Sequence, residues 1–497
     1  MALLPPASET PPTRPPATPH LKSSESKTWS AGTLTYTSGG LVVVFCWLLF
    51  GDFAWSMRDR SVGPMAQWYL NSLNVPNVLF GVLISSFPAL LGLILGPVIS
   101  VKSDRHRGRW GRRIPFLLIT APFAALGMIG LSLTPLLARW LQGICTPGHP
   151  WGNRLHSLLD GNRAGAWLLS VLGNEMIVAV ICFGFFWAIF EVATIAAQAV
   201  FGGLINDVVP RPLLGRFYGL FRAISLIDGM IFNYWIMGIM PSHFALILMS
   251  VGIFYAIAFL LVCTRVKEGT YPPPPLTRPG ENALGRSAGS VVAYFKESFG
   301  KPYYLSVFLL ITAAGLVFLP VNTFAIPYAR SLGIGMDVYG RFLALTFLIS
   351  LGLSFFLGWL ADRFHPLRMA MFTLGGYALV AAWGACHAYD QNSFLLAWVL
   401  HGVLSGGYMT SAATLAQRLF PQAKFAQFAS AAGISGSFAH MGLAPLVGSL
   451  IDGSGGHHYQ HTFTVGCVFA LIALASAALV YRQFMRLGGP TGYSPPA

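Results

Sequence analysis

Long apolar runs alternate with short polar segments along most of the chain. Runs of about 20 residues recur six times before and six times after a Pro-rich stretch, 265–301, that contains YPPPPLTRPGEN. Each run is long enough to cross a bilayer as a helix, whereas a strand of a membrane barrel needs only about 10 residues and alternates apolar with polar side chains. The predicted spans lie near residues 39–57, 77–101, 114–135, 174–200, 216–239, 243–263, 303–322, 338–360, 369–387, 393–414, 426–450 and 462–482.

This pattern predicts an all-α membrane protein with twelve transmembrane helices in two six-helix halves. The first residues are rich in Pro, Ser and Thr and cannot bury enough apolar surface to become ordered, and they lack the apolar core of a signal peptide. The predicted units, in chain order, are a disordered tail (1–28), the first half (29–263), a polar linker (264–302), the second half (303–483) and a second tail (484–497).

Composition supports the membrane assignment and narrows the choice of partners. Hydrophobic residues make up 55% of the chain and charged residues 10%, well below the roughly 25% charged residues of an average soluble domain. The net charge of +14 comes mostly from short loops between apolar runs, so we expect no nucleic-acid partner. Five of the six cysteines lie in apolar runs, and no phosphate-binding loop is present. We therefore predict no disulfide framework, no metal site and no cofactor.

Basic residues in the short loops predict the orientation of the chain. The loop between the second and third spans holds six of them, and other even-numbered loops hold Arg211, Arg216 and Arg363, which by the positive-inside rule places these loops in the cytoplasm. Arg139 and Arg154 lie in the long third loop on the opposite side, where the rule acts weakly. We expect a multi-pass protein of the cell membrane with both termini in the cytoplasm.

The basic loop SDRHRGRWGRRIPF (103–116) has a second copy in the other half of the chain. GWLADRFHPLRM (358–369) repeats its Asp-Arg pair at the same place between the second and third spans of that half. Two such halves are expected of a transporter that works by alternating access. Both loops resemble the Gly-x-x-x-Asp-Arg-x-Gly-Arg-Arg loop of the major facilitator superfamily, although Ser100 replaces the first glycine in the first copy. The cytoplasmic gating motif implied by this resemblance comprises Asp104, Arg105, Arg109, Gly111, Arg112, Arg113, Asp362 and Arg363.

A narrower resemblance is to the plant-type sucrose transporters and related glycoside-cation symporters. In that family the fourth span carries a segment Asp-x-Ala-Asn-Asn-x-x-Gln-Gly-Pro-x-Arg-Ala-Leu-Leu-x-Asp. The stretch EVATIAAQAVFGGLIND of this sequence matches it at Glu191, Ala193, Gln198 and Asp207. It departs from the family at Thr194 and Ile195, which replace two asparagines, and at Gly202, which replaces the arginine that contacts sugar. The resemblance therefore implies a sugar substrate and leaves the identity of the sugar open.

The two loop aspartates, Asp104 and Asp362, invite two interpretations. A carboxylate at a helix end can accept backbone and arginine hydrogen bonds between the halves in one conformation and lose them in the other, which would make a cytoplasmic latch. Alternatively, these residues only cap helices and fix topology. Their equivalent positions in the two halves favour the latch.

Ionisable residues within the spans are the candidates for ion coupling, because a charge at mid-bilayer costs at least about 2.5 kcal/mol. Glu191 shares a helix face with Trp187, Thr194 and Gln198. The side chains of this stripe suit a sugar, and the Glu191 carboxyl can exchange a proton. The alternative is a permanent pair between Glu191 and Arg222.

Asp52 is expected to line the cavity one turn from Trp55, with Arg58 near the outer end of the span; a local pair of Asp52 with Arg58 is the alternative. Asp228 and Arg222 are six residues apart and fall on different faces. The predicted ion-coupling residues are Glu191, Asp52 and Asp228. The predicted substrate-binding residues are Trp55, Trp187, Thr194, Gln198, Arg222, Asn233, Asn322 and Tyr408.

The sequence thus predicts a monomeric secondary transporter in the lipid bilayer, with a small-molecule sugar as substrate and a proton as coupling ion. A sodium-coupled symporter, an exporter or lipid transporter on the same fold, and a sugar sensor without transport are the alternatives. An intramembrane enzyme is disfavoured, because the histidines that could support one, His457, His458 and His461, lie in a predicted outer loop.

Overall fold

The computed structural model describes residues 28–159, 161–272, 295–421 and 424–496, without the side chains of Phe355, Ala361, Asp362, Ala426 and Thr491. The predicted disordered tail, apart from its last residue, and most of the predicted linker lie outside the described residues.

The first half of the described chain begins with a small hairpin and continues as helices. Strands β1 (Trp29–Ala31) and β2 (Leu34–Tyr36) pair antiparallel, a feature that the all-helical prediction did not include. The helices that follow are α1 (Ser38–Ser72), α2 (Asn77–Arg105), α3 (Ile114–Cys145), α4 (Pro150–Leu159), α5 (Arg163–Gly173), α6 (Glu175–Val208), α7 (Leu214–Ile231) and α8 (Met240–Arg265).

The second half is helical from Pro302 onward. Its helices are α9 (Pro302–Val317), α10 (Leu319–Ser331), α11 (Met336–Phe364), α12 (Pro366–His387), α13 (Gln391–Ser411), α14 (Leu415–Leu419), α15 (Phe425–Gly453), α16 (His461–Arg486) and α17 (Gly489–Gly492). The predicted seventh span divides at Phe318 into α9 and α10. The predicted C-terminal tail packs against its half: the Tyr493 hydroxyl donates to the Leu419 carbonyl at 2.7 Å.

Ten stretches of the described chain are long and apolar enough to cross a membrane. One of them, Arg211–Arg265, has 55 residues, about twice the length that crosses a bilayer, and holds both α7 and α8. The 21-residue helix α13 is a further helix of spanning length. The helical membrane prediction is confirmed, and the arrangement is consistent with twelve spans.

The predicted end of the first span at residue 57 is wrong. Helix α1 has 35 residues and continues to Ser72, so Arg58, Asp59 and Arg60 lie in its middle and not near its outer end. The prediction ended the span at residue 57 because the charged triplet interrupts the apolar run. Arg58 is buried inside the bundle, however, and there packing and not hydropathy sets the length of the helix.

The two halves meet at one end of the bundle. A Cβ atom at Gly81 of α2 would lie 2.7 Å from the Ala444 carbonyl oxygen of α15, and one at Gly448 would lie 2.3 Å from the Asn77 carbonyl oxygen. The hydrogen bonds that join described residues of the two halves also lie toward this end, which we call the closed end. The opposite end, which carries the loop 106–113, is the basic end.

Candidate functional site

A cavity of about 180 Å³ lies between α1 and α6, midway along both helices. It contains all four residues of the predicted stripe on the fourth span, together with aromatic and charged side chains of α1. Its lining residues are Trp55, Arg58, Asp59, Val62, Gly63, Trp187, Phe190, Glu191, Thr194, Ile195 and Gln198.

Arg58 is the most prominent residue of this cavity that the sequence interpretation did not assign to the site. Its guanidinium lies 4.1 Å from the centre of the Trp55 ring and forms a 2.7 Å ion pair with Asp59. The residue is only 4% exposed, and its Nε has no hydrogen-bond partner among the described residues. The sequence did contain a signal for Arg58: it follows Trp55 by three residues, and this spacing places both on one helix face if the helix continues beyond residue 57.

Trp187 and Thr194 form the wall of the cavity and already use their polar atoms. The indole Nε1 of Trp187 donates to the Leu83 carbonyl of α2 at 2.9 Å, and its ring stacks on Phe183 at 5.5 Å. The Thr194 hydroxyl donates to the Phe190 carbonyl at 2.8 Å. The apolar surface of Trp187 therefore faces the cavity, while Glu191 and Gln198 offer the polar groups of α6.

Asp52 and Asp228 do not line this cavity. Both are fully buried, on α1 and α7, and neither carboxyl has a hydrogen-bond partner among the described residues. Arg60 lies in the same region, where its Nη2 donates to the Ser225 hydroxyl at 3.4 Å. The three predicted ion-coupling acids thus occupy two separate places. The alternative pair of Asp52 with Arg58 is absent from the described structure, where Arg58 pairs with Asp59.

Arg222 and Asn233 are also outside the cavity. Arg222 is exposed, and the described residues contain no ion pair between it and Glu191. Asn233, just after α7, is buried and donates through Nδ2 to the Gly229 carbonyl of that helix at 2.6 Å. As predicted from their spacing, Arg222 and Asp228 face different environments.

The two predicted substrate-binding residues of the second half, Asn322 and Tyr408, differ in their exposure. Asn322 of α10 is exposed although Val321 and Thr323 are buried, and its Oδ1 lies 3.0 Å from Nε2 of His401. Tyr408 is buried and packs against Phe318 at a ring distance of 5.8 Å. Asn322 thus keeps an exposed amide outside the cavity, whereas Tyr408 belongs to the packing of its half.

At the basic end, the first copy of the loop motif forms a network of charges. Asp104 at the end of α2 accepts a bond from the Arg113 guanidinium, and Asp207 at the end of α6 binds Arg112 through two bonds of 2.5 and 2.9 Å. Glu268 beyond α8 completes the network. Its carboxylate accepts the backbone N–H groups of Arg112 (2.9 Å), Arg113 (2.8 Å) and Ile114 (2.7 Å), where the chain enters α3.

Three further observations describe this network, and the first of them bears on the predicted gate. Among the described residues, the bonds of Asp104 in this conformation lie within the first half. Hydrogen bonding to Asp207 raises the pKa of Arg112, and burial raises that of Tyr271, whose ring lies 4.2 Å below the Arg112 guanidinium. Glu268 was missed because it lies far along the sequence, in the predicted linker.

The remaining motif residues have simpler surroundings. Arg105 is exposed, and the guanidinium groups of Arg109 and Arg363 lie 5.6 and 5.4 Å from the rings of the neighbouring Trp110 and Trp359. Gly111 has a φ of 99°, and a Cβ atom there would lie 2.5 Å from the Glu268 carboxyl carbon, so both conformation and space require glycine. The side chain of Asp362 lies outside the described residues.

The histidines of the predicted outer loop do not form a metal site. His457 lies 3.7 Å from Asp452, and the rings of His458 and His461 are 6.5 Å apart. Within the described residues no group of three His, Cys, Asp or Glu side chains is arranged to hold a metal ion.

Comparison with known sequences gives one family model and several short alignments. The model of the Major Facilitator Superfamily matches residues 307–490. The chain is 35% identical over 92 residues to the mouse (Mus musculus) "Membrane-associated transporter protein" and 32% identical over 114 residues to the human (Homo sapiens) "Proton-associated sugar transporter A". These alignments cover 18% and 21% of this chain but only 16% and 13% of the two relatives.

Solved structures share the fold over most of the chain. A bacterial homolog of the human lysosomal transporter Spinster, in an inward-facing and unoccupied conformation, matches with a TM-score of 0.62 and 14% identity, covering 93% of this chain and 100% of that one. A D-xylose-proton symporter matches with a TM-score of 0.59 and 15% identity, covering 89% and 96%. The predicted resemblance therefore agrees with two findings: residues 307–490 match the model of the Major Facilitator Superfamily, and the chain has the fold of these solved transporters.

Proposed function

We propose that this protein is a secondary transporter that carries a sugar together with a proton by alternating access. The observation that carries the proposal is the cavity between α1 and α6, where Glu191 lies beside Trp55, Trp187 and Arg58 in the middle of the bundle. Sugars stack their apolar faces on aromatic rings and present hydroxyls to carboxylates, amides and guanidinium groups. At 180 Å³ the cavity is below the usual 300–1,000 Å³ of drug-sized ligand sites and suits a single sugar ring.

The placement of the acids favours a proton over sodium. Glu191 lies on an unbroken helix, Glu175–Val208, and Asp52 and Asp228 lie elsewhere, so the three carboxyls do not converge on one cation. Sodium sites in transporters commonly use unwound backbone carbonyls, which α6 does not offer. A single carboxyl within a membrane-spanning helix that alternates between protonated and ionised forms is sufficient for proton coupling.

The asymmetry of the two ends supports alternating access. The halves are held together at the closed end by bonds such as those of Asp452 with Asn77, while the network at the basic end lies within the first half. A solute would then enter or leave through the basic end in this conformation, and the halves would rock to expose the other side. The name of the human relative, a proton-associated sugar transporter, agrees with this assignment.

The test is uptake by purified full-length protein in proteoliposomes, with labelled glucose, galactose, xylose, sucrose and maltose, with and without an inward proton gradient. We expect gradient-driven uptake of at least one of these sugars by the wild type. Glu191→Gln should abolish the response to the gradient while sugar counterflow continues, because the amide keeps the shape of the side chain but cannot exchange a proton.

Glu175→Gln is the matched control, since Glu175 begins the same helix but its side chain is 60% exposed. It should transport like the wild type. Gradient-driven uptake by Glu191→Gln would contradict proton coupling through this residue. Sugar binding without flux would favour the sensor, and an absence of both in the wild type would overturn the sugar assignment and direct the search to exported or lipidic compounds.

A further inference from the structure

A chain of three hydrogen-bonding side chains runs through the core of the second half. The Tyr377 hydroxyl of α12 lies 2.7 Å from Nδ1 of His401, and Nε2 of His401 lies 3.0 Å from Oδ1 of Asn322. Tyr377 is fully buried, His401 is 1% exposed, and Asn322 is exposed. The chain therefore leads from the apolar core to a single amide at the surface of α10.

Aromatic rings hold the His401 imidazole in one orientation. It stacks on Trp398, one turn earlier on α13, with the ring planes 11° apart and the centres separated by 5.4 Å. Phe318 and Phe463 meet it edge-on at 5.9 and 6.4 Å. A ring confined on these sides keeps its two nitrogens directed at Tyr377 and Asn322.

The order of the chain determines where each proton lies. Oδ1 of Asn322 can only accept, so Nε2 of His401 carries the proton of that bond. A charged imidazole buried among these rings would be costly, and the described partners of the ring include no carboxylate, so the ring is neutral and Nδ1 is an acceptor. The Tyr377 hydroxyl therefore donates to Nδ1. Each of the three polar groups has one role, and reversal of any bond would leave a neighbour unsatisfied.

The consequence appears at Asn322. With Oδ1 held by His401, the Nδ2 amino group points away from the ring, and it donates to no protein acceptor in the described part of the chain. Its two N–H groups are free to donate to an oxygen of a bound solute. An amide that could rotate would offer donor and acceptor alternately and would have to be ordered on binding.

We infer that His401, fixed by Tyr377, is a positioning residue that presents the Asn322 amide to the transported sugar as a donor only. The inference rests on the proposed sugar transport and deepens it, because it assigns the second half a specific contact: Asn322 Nδ2 donates to a hydroxyl oxygen of the sugar. His401 does not touch the sugar. It acts by removing the rotational freedom of the side chain that does.

The test is a comparison of sugar counterflow kinetics in proteoliposomes, with the sugar of the panel above that the wild type carries best. His401→Leu should raise the KM about tenfold with the maximal rate within about twofold of wild type, since the contact is lost from the bound state and not from the rocking step. His401→Gln should stay within about threefold of the wild-type KM, because its amide nitrogen can replace the Nε2–H donor. Asn322→Ala should raise the KM as much as His401→Leu does.

The double variant Asn322→Ala with His401→Leu separates positioning from a general effect on structure. We expect its KM to equal that of Asn322→Ala alone, because His401 has no role once the amide is absent. Tyr377→Phe, which removes one hydroxyl, provides a milder variant in case His401→Leu does not fold, and should raise the KM roughly threefold. His387→Leu, at an exposed histidine near the end of α12, is the matched control and should behave as wild type.

The outcomes separate this inference from the proposal on which it rests. If the wild type transports a sugar but His401→Leu leaves the KM unchanged, or His401→Gln is as impaired as His401→Leu, or the two losses multiply in the double variant, the positioning role is overturned and sugar transport stands. If the wild type moves none of the sugars, the proposed function fails and the assignment of Asn322 as a sugar contact fails with it.

Discussion

The carboxylate of Asp452, near the end of α15, caps the beginning of α2 through Asn77. One oxygen accepts the Asn77 Nδ2 amide at 2.7 Å and the Asn77 backbone N–H at 3.2 Å, and the other accepts the Val78 N–H at 3.1 Å. The two residues belong to different halves of the chain, and the Tyr459 hydroxyl adds a 3.2 Å bond to the Asn77 amide oxygen. A negative charge at a helix N-terminus is stabilising, so this contact holds the closed end together.

Asp452→Asn should weaken the closed end. The substitution removes the charge that faces the N-terminus of α2, which we expect to cost about 1–2 kcal/mol and so to raise the open population roughly tenfold. Spin labels at the exposed Leu79 and Leu450 would report the change as a longer inter-label distance in pulsed electron-electron measurements. Asp390→Asn, at an exposed acid that caps only its own helix α13, is the control, and an equal shift there would argue against the Asp452 contact.

Gly448→Ala tests the same end by steric means. A Cβ atom at this position would lie 2.3 Å from the Asn77 carbonyl oxygen, a backbone atom that cannot move aside without displacing α2. We expect the variant to populate the open form of this end and to show the same label separation. Gly442→Ala on the same helix has open space at its Cβ position and should leave the distance unchanged. A wild-type distance in Gly448→Ala would contradict the packing described above.

Arg58→Gln should impair sugar transport. The buried guanidinium over Trp55 is a positive group that lines the cavity, and its removal takes away both the stacking on Trp55 and the pairing with Asp59. We expect at least about a tenfold fall in uptake per protein, equivalent to ~1.4 kcal/mol. Arg341→Gln, at a 63% exposed arginine of α11, is the matched control. Unchanged uptake by Arg58→Gln would remove Arg58 from the site.

Glu268→Gln should destabilise the protein more than a comparable surface change. Glu268 accepts three backbone N–H groups at the start of α3, and an amide can replace only part of that interaction. We expect a loss of about 1–2 kcal/mol, seen as a lower apparent Tm of the detergent-solubilised full chain. Glu297→Gln, an exposed acid paired with Lys424, should change the Tm much less. Equal losses in the two variants would contradict the capping role.

His365 should make stability depend on pH. It lies between α11 and α12 with a φ of 75°, and its Nδ1 accepts the Leu367 N–H at 3.2 Å. Burial, with a smaller effect of Arg418 and Arg368, lowers the pKa of His365 to about 4. Between pH 6.5 and 4 the unfolded chain therefore binds a proton that the folded chain does not, and stability from this residue falls as the pH is lowered through that window.

The measurement is apparent Tm against pH for wild type and His365→Asn. Asparagine tolerates a positive φ and can accept the same backbone bond but does not titrate. The Tm difference between the two proteins should be constant above about pH 7 and should shift in favour of the variant as the pH falls to 4. Parallel curves across the whole range would exclude a contribution from His365.

The sequence determined the helical membrane architecture, because length and hydropathy of a span follow directly from the thickness of a bilayer. It also determined the face of α6 that bears Glu191, since residues at spacings of three, four and seven share one side of a helix. The repeat of the basic loop carried the family resemblance, with which the model match over residues 307–490 and the fold of the solved structures agree. These features are local, so a linear pattern contains them.

Contacts between distant segments were decided only by the tertiary structure. The polar triplet at residues 58–60 ended the predicted span, although burial of Arg58 in the bundle lets α1 continue to Ser72. Asp52 and Glu191 resemble each other in sequence context, yet only Glu191 lines the cavity. Glu268, beyond α8, caps the start of α3, and Asp452 of α15 caps the start of α2, so both helices are capped from far along the chain. Such partners are set by how helices pack, for which a single sequence holds no spacing rule.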